Sequence, residues 1–323
     1  MAKNLKKLRD KWLLIGIALI VALGIAACGG GGGGGSSAPA APAAGGGEPV
    51  ILNSVLSGNQ ISAASGGPIA TAAGGSGTLT VSADRTAINF TLDAGALATF
   101  NSPVITGAHI HVRDPGADNG PIIFDFLPAP ATVPDPLVLS GTLTAADLIP
   151  RPPNVPDFPS AVAALLEGST YFQVHTQAHL PGEIRGEIGT QTLTATLDGA
   201  QHVPPVITNA SGTGTVVINP TQDSFTVSLN VAGLSSTIQG AHIHVGAVGV
   251  DGPIIFDFAL PSTLPPNLVI NVVLTAANLS PAQTTITTFA AAVDALLSGN
   301  TYFQVHTANN PGGEVRGQIL SVR

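Results

Sequence analysis

Two H-x-H pairs, set in identical "GAHIHV" hexapeptides at 107–112 and 240–245, take four of the eight histidines in this chain. Residues i and i+2 of a β-strand point to one face. His242 and His244 therefore share a face, opposite Ala241, Ile243 and Val245, and His109 and His111 share the equivalent one. Strand rise puts the Cα atoms of such a pair about 6.6 Å apart, close enough for two imidazoles to converge on one ion. A second recurring segment, "YFQVHT" at 171–176 and 302–307, turns Phe303 and Val305 inward and Tyr302, Gln304 and His306 outward by the same alternation. It adds a third imidazole to each pair. His109, His111 and His175, and again His242, His244 and His306, are a candidate ligand set for copper or zinc. The competing reading is structural, since paired histidines on a polar sheet face also bond carbonyls or carboxylates and hold loops. A metal set predicts uptake near two ions per chain, lost as imidazoles protonate near pH 6. Structural histidines predict none.

Carboxylates and arginines recur beside the histidines. In "PGEIRGEI", Glu183, Arg185 and Glu187 share a face opposite Ile184 and Ile188, and Glu314 and Arg316 repeat the arrangement. A sheet-borne arginine forks onto a carboxylate, and Asp125 and Asp257 of the two "IIFDF" segments are the expected partners of Arg185 and Arg316. Pro181-Gly182 and Pro311-Gly312 mark the turn that delivers this strand.

The elements that position these residues occur twice. "GAHIHV" returns after 133 residues, "NGPIIFDF" (119–126) returns as "DGPIIFDF" (251–258), and "STYFQVHTQAHLPGEIRGEI" (169–188) returns as "NTYFQVHTANNPGGEVRGQI" (300–319). A period this long means tandem domains rather than a solenoid, here 49–190 and 191–323. Strand signals dominate each copy, as in "GTLTVSADRTAINFTLD". One helical stretch interrupts them, "PSAVAALLEG" with Ser160 as its N-cap and Gly168 past its end, and "TTFAAAVDALLSG" in the second copy. About seven strands and one short helix per copy predict an all-β fold, two tandem antiparallel β-sandwiches of immunoglobulin-like kind.

Charge is unevenly placed. Lys3, Lys6, Lys7, Arg9 and Lys11 crowd the start, and the rest carries six arginines against eighteen acids, a formal charge of −12, with no lysine. A basic nucleic-acid footprint is absent, so no nucleic-acid partner is expected. Residues 1–27 read as a secretory signal, a basic segment followed by about sixteen apolar residues, too short for an ordinary membrane span. "IAAC" resembles the bacterial lipobox, which implies that Cys28, the only cysteine, is lipidated and becomes the membrane anchor. Residues 28–48, rich in Gly, Ala and Pro, form a flexible tether. Gly29 lacks the acid associated with inner-membrane retention, so the outer membrane or cell surface is the expected address. There is no G-x-S-x-G elbow, P-loop or free cysteine nucleophile to suggest turnover.

"LDGAQHVPPV", "GAHIHVG…GVDGPIIF", "YFQVHT" and "PGGEVRGQI", in this order, make the chain similar to the CHRD domain, the module named from chordin and found in bacterial envelope proteins. The first copy departs at its opening, with "NQISAA" where the second has "AQHVPP". The resemblance implies a β-sandwich or barrel with distant likeness to copper/zinc superoxide dismutase, whose copper site also uses an H-x-H strand pair. A dismutase-like second metal would need a histidine-rich loop, and "VGAVGVDGPIIFDFALPSTLPP" offers Asp251 and Asp257 but no histidine. Fold likeness alone carries no activity. Two readings stand beside that enzyme: a copper-binding protein, or an interaction module whose repeated surfaces engage a protein or matrix partner.

Overall fold

A computed structural model describes residues 47–97, 104–127, 131–132, 136–260, 264, 266–280 and 286–322. The expected signal segment, Cys28 and all but the last two residues of the expected tether lie outside the described residues. Among those described, no helix is long and apolar enough to cross a membrane.

The first copy runs β1 (Val50–Ser57), β2 (Gly74–Val81), β3 (Ile88–Gly95), β4 (Val104–Val112), β5 (Ile122–Asp125), β6 (Ala131–Thr132), β7 (Leu137–Leu143), α1 (Phe158–Leu166), β8 (Thr170–Thr176) and β9 (Ile184–Ile188). The second repeats it: β10 (Gln191–Asp198), β11 (Ser211–Ile218), β12 (Ser224–Ala232), β13 (Ile238–Val245), β14 (Ile254–Asp257), β15 (Leu268–Thr275), α2 (Phe289–Leu297), β16 (Thr301–Thr307), β17 (Val315–Gln318) and β18 (Leu320–Ser321). Among the described residues each copy is one antiparallel sheet of nine strands, more than the seven expected, because short pieces such as β6 and β18 pair at its margins. The strand order β5-β4-β8-β9-β1-β2-β3-β7 recurs as β14-β13-β16-β17-β10-β11-β12-β15. β1 and β9 meet at Ser57 and Arg185. There the sheet turns over, and its two halves bury their apolar faces against each other.

Alternation sends Leu52, Leu79, Phe90, Leu92, Ile110, Phe172, Val174 and Ile184 into the first core, with an equivalent set in the second. Each large side chain buried there contributes about 2 kcal/mol. The helices cap the cores with Ala161, Val162 and Leu165, and with Ala292, Val293 and Leu296. Asp157, not Ser160, is the N-cap of α1. Its side chain accepts from Ser160 N, while Ser160 Oγ receives the Asp157 N–H, a reciprocal capping box one turn long. Gly168 sits just past the helix with φ +79°, as a left-handed helix end requires.

The repeats are joined by more than the chain. The β11–β12 turn of the second copy docks on the edge of β1. Asn53 N donates to Pro220 O (2.8 Å), Val55 N to Gln222 Oε1 (2.9 Å), and Gln222 Nε2 to Glu187 O (3.0 Å). Asp294 on α2 receives Ser57 Oγ (2.5 Å), Gln60 Nε2 (2.9 Å) and Asn59 Nδ2 (3.2 Å) from the first copy.

Candidate metal centres

Sheet geometry brings the six histidines together as two triads. β4 pairs β8 with His109 opposite Gln173 and His111 opposite Tyr171, so His175 lies on the same face one step along. β13 and β16 reproduce this register. Ring centroids of His109, His111 and His175 are 5.1–5.9 Å apart, and those of His242, His244 and His306 are 4.9–5.9 Å apart. In each triad one nitrogen per ring lies within 4.8 Å of the other two. A tetrahedral ion with bonds near 2.0–2.1 Å holds its nitrogens roughly 3.4 Å apart. Small side-chain rotations close that gap.

The hydrogen bonds fix which nitrogens converge. His111 Nδ1 lies 2.9 Å from Gly120 O and His175 Nδ1 2.8 Å from Leu180 O. His244 Nδ1 lies 2.8 Å from Gly252 O and His306 Nδ1 3.0 Å from Pro311 O. A carbonyl oxygen only accepts, so each Nδ1 carries the hydrogen and each Nε2 keeps a bare lone pair. The remaining rings are turned round. His109 Nε2 faces Asp125 Oδ1 at 3.4 Å and His242 Nε2 faces Asp257 Oδ1 at 3.7 Å, leaving Nδ1 for the centre. The six inward nitrogens are all buried without a hydrogen-bond partner. Three converging lone pairs that no donor satisfies are costly in a protein interior, and a cation satisfies all three. The structural reading accounts for only one nitrogen of each ring.

Burial makes these rings ready ligands. It pushes His111 and His244 down to about 4, despite the help of their carbonyl partners, and it also lowers His175, His242 and His306. His111 and His244 therefore stay neutral well below the expected pH 6. Stability carries the same signature. In the unfolded chain His111 and His244 take up protons as pH falls through about 6.5, whereas the metal-free fold resists until about 4. They leave stability unchanged above pH 6.5 and lower it as pH falls from 6.5 to 4, by about 3 kcal/mol each. Denaturant unfolding of metal-free protein at pH 7, 5.5 and 4.5 is expected to show this fall, and His111→Gln should flatten it for the first domain.

Around each triad stands a second tier of residues. Tyr171 stacks on His111 (5.0 Å, 9°) and Tyr302 on His244 (5.0 Å, 14°). The far faces of these tyrosines carry the Arg185 and Arg316 guanidiniums at 3.6 and 3.7 Å. Each tyrosine hydroxyl also receives a backbone N–H, from Gly120 or Gly252, whose carbonyl orients the histidine. Gly107 and Gly240 open the hexapeptides for a related reason. A Cβ on Gly240 would lie 2.8 Å from the His242 ring, and one on Gly107 would overlap His109. Tyrosine and glycine were both visible as repeated letters, yet only the packing shows what they touch.

The expected arginine–aspartate pairs are corrected. In the strand order, β4 and β8 separate β5 from β9, which puts Asp125 some 14 Å from Arg185 at ordinary strand spacing. Cross-strand register instead sets Asp125 and Asp257 opposite His109 and His242. Arg185 forks onto Glu187 (3.0 Å) and reaches Asn119 Oδ1 (3.0 Å) and Asp118 O (2.8 Å), and Arg113 also pairs with Glu187. Arg316 takes Asp251 (3.5 Å) with Ala247 O and Val250 O (3.0 Å each). Both arginines thus hold the loop that carries the orienting glycine. Glu183 and Glu314 bind hydroxyls instead, of Thr71 (2.8 Å), and of Thr208 (2.7 Å), Thr307 (2.7 Å) and Ser235 (2.8 Å). Nor is the outward face of "YFQVHT" open to water: Tyr171 and Tyr302 are 1% exposed beneath these tiers.

Comparison with known families settles what the repeats are. The CHRD domain model matches residues 52–188 and again 193–319. The chain belongs to the CHRD domain family. Both CHRD matches take in a complete triad with its tyrosine, arginine and carbonyl partners. Among curated proteins no match was found.

Proposed function

We propose that this tandem CHRD protein binds transition metal, one ion per domain, on His109, His111 and His175 and on His242, His244 and His306. The observation that carries the reading is the set of six buried, unpartnered imidazole nitrogens converging in threes. Neutral imidazole ligands suit copper and zinc, and three protein ligands leave a fourth position for water or an incoming group. The carbonyls and carboxylates on the opposite nitrogens are the outer partners that metal-ligating histidines normally have. The protein acts by capture and holding rather than turnover, anchored by lipid on Cys28 at the outer membrane or cell surface, with residues 28–48 as its tether. Calorimetric titration of the full chain in detergent with Cu(II) and Zn(II) at pH 7.4 is expected to give about two ions per chain. Absence of binding tighter than about millimolar would sink the reading and leave an interaction module that meets a protein or matrix partner through its repeated surfaces.

A further inference from the structure

We infer that His202, present only in the second domain, is a positioning residue for that domain's metal centre, fixing the Gln304 amide, which itself holds a turn that proline stiffens in the first. The inference rests on the metal reading above.

His306 is oriented by Pro311 O, which accepts from its Nδ1 at 3.0 Å. This carbonyl sits in the turn Pro311-Gly312-Gly313. The first domain has Leu180-Pro181-Gly182 at the same places, with Leu180 O receiving His175 Nδ1 at 2.8 Å. Position 181 has its φ fixed by the proline ring, whereas its counterpart Gly312 has no such restraint. A loose turn would let Pro311 O and the His306 ring wander, and a wandering ligand binds more weakly because ordering it opposes binding.

The second domain supplies ties the first lacks. Gln304 Nε2 donates to Gly312 O at 2.8 Å, matching Gln173 on Pro181 O at 2.7 Å. His202 is the added element. Its Nδ1–H donates to Pro204 O at 2.8 Å, so its Nε2 is an acceptor and receives Gln304 Nε2 at 2.9 Å, the same amide nitrogen that donates to Gly312 O. Its ring is buried against the turn, close enough that a Cβ on Gly313 would come within 2.6 Å of Nε2. The matching residue of the first domain is Ile61, also buried, whose side chain offers no hydrogen bond. The copies thus pair isoleucine with proline and histidine with glycine. Gly312 has open space around a Cβ and lies outside the left-handed region, so proline is sterically admissible there.

The test is a four-variant titration of the full chain with Zn(II), each in a His109→Ala/His111→Ala background so that only the second centre is read. His202→Ile is expected to weaken zinc binding about tenfold, the lower end for loss of an outer partner. His202→Ile with Gly312→Pro should recover most of it, and Gly312→Pro alone should change little. Unaltered affinity in folded His202→Ile, or no recovery in the folded double variant, overturns the inference. Should His202→Ile not fold alone, folding and binding restored by Gly312→Pro sustain it, and failure of the double variant to fold overturns it. Absence of uptake by the background protein would strike the metal reading itself, a different result from a His202 variant that binds unchanged.

Discussion

Zinc at a thousandfold excess over its dissociation constant is expected to raise the unfolding free energy of each CHRD domain by about 4 kcal/mol, which moves its melting temperature by roughly 15 °C. The size follows from the geometry. Each ring is already oriented by a carbonyl or carboxylate, and His111 and His244 are also stacked on tyrosines, so little side-chain freedom remains to be lost on binding. Burial keeps His111 and His244 from competing for protons at neutral pH. The unfolded chain has no such preformed centre. Scanning calorimetry with zinc and then with chelator would measure the gain. His242→Ala with His244→Ala should erase it for the second domain only, leaving the first transition responsive. The same pair should cost the metal-free protein far less, because the converging nitrogens it removes satisfy nothing there. A melting temperature indifferent to saturating zinc would defeat the prediction.

The second large effect concerns Glu187. Two arginines, Arg113 and Arg185, meet on this one buried carboxylate. Removing the partner of a buried charge typically costs 3–5 kcal/mol, so Glu187→Gln should destabilise the first domain by about 3 kcal/mol. The second domain shows how the loss is accommodated. It has Gln318 where the first has Glu187, and Gly246 where the first has Arg113. Gln318 Nε2 donates to Gly299 O at 2.8 Å, the place where Arg113 Nη1 donates to Gly168 O at 2.8 Å. Beside Arg113, a glutamine amide at 187 would point a donor at a donor. With Arg113→Gly added, it can take the vacated carbonyl. The double variant is therefore expected to lose only about 1 kcal/mol, and a double-mutant cycle by denaturant unfolding would return a coupling near 2 kcal/mol or more. Simple additivity would refute the account.

Much of this was legible in letters alone. Period-two alternation places the H-x-H pairs on one face whatever the rest of the fold does, and an identical "YFQVHT" in both copies marks the strand that carries the third ring. What alternation cannot supply is which strands are neighbours. Asp125 and Arg185 looked like partners because both are charged and recurrent, but two intervening strands keep them apart. The choice of ring nitrogen was hidden for the same reason, since it depends on loop carbonyls such as Gly120 O and Leu180 O that only the closed fold delivers. The N-cap of α1 shifted from Ser160 to Asp157 because either side chain can cap. Asp157 lies one turn earlier, and the two bond each other.

The contact between the copies makes them unequal as separable parts. In the second domain the end of β10 has its own acid, Asp198, which receives Gln201 N at 2.9 Å and Gln201 Nε2 at 3.2 Å. The corresponding residue of the first domain is Ser57, and the carboxylate that meets it arrives from Asp294 on the other copy. The second module is thus self-sufficient at this corner, while the first is finished only by its neighbour. Dependence runs one way along the chain, and exchanging the order of the modules would strand Asp294 at one end and Ser57 at the other.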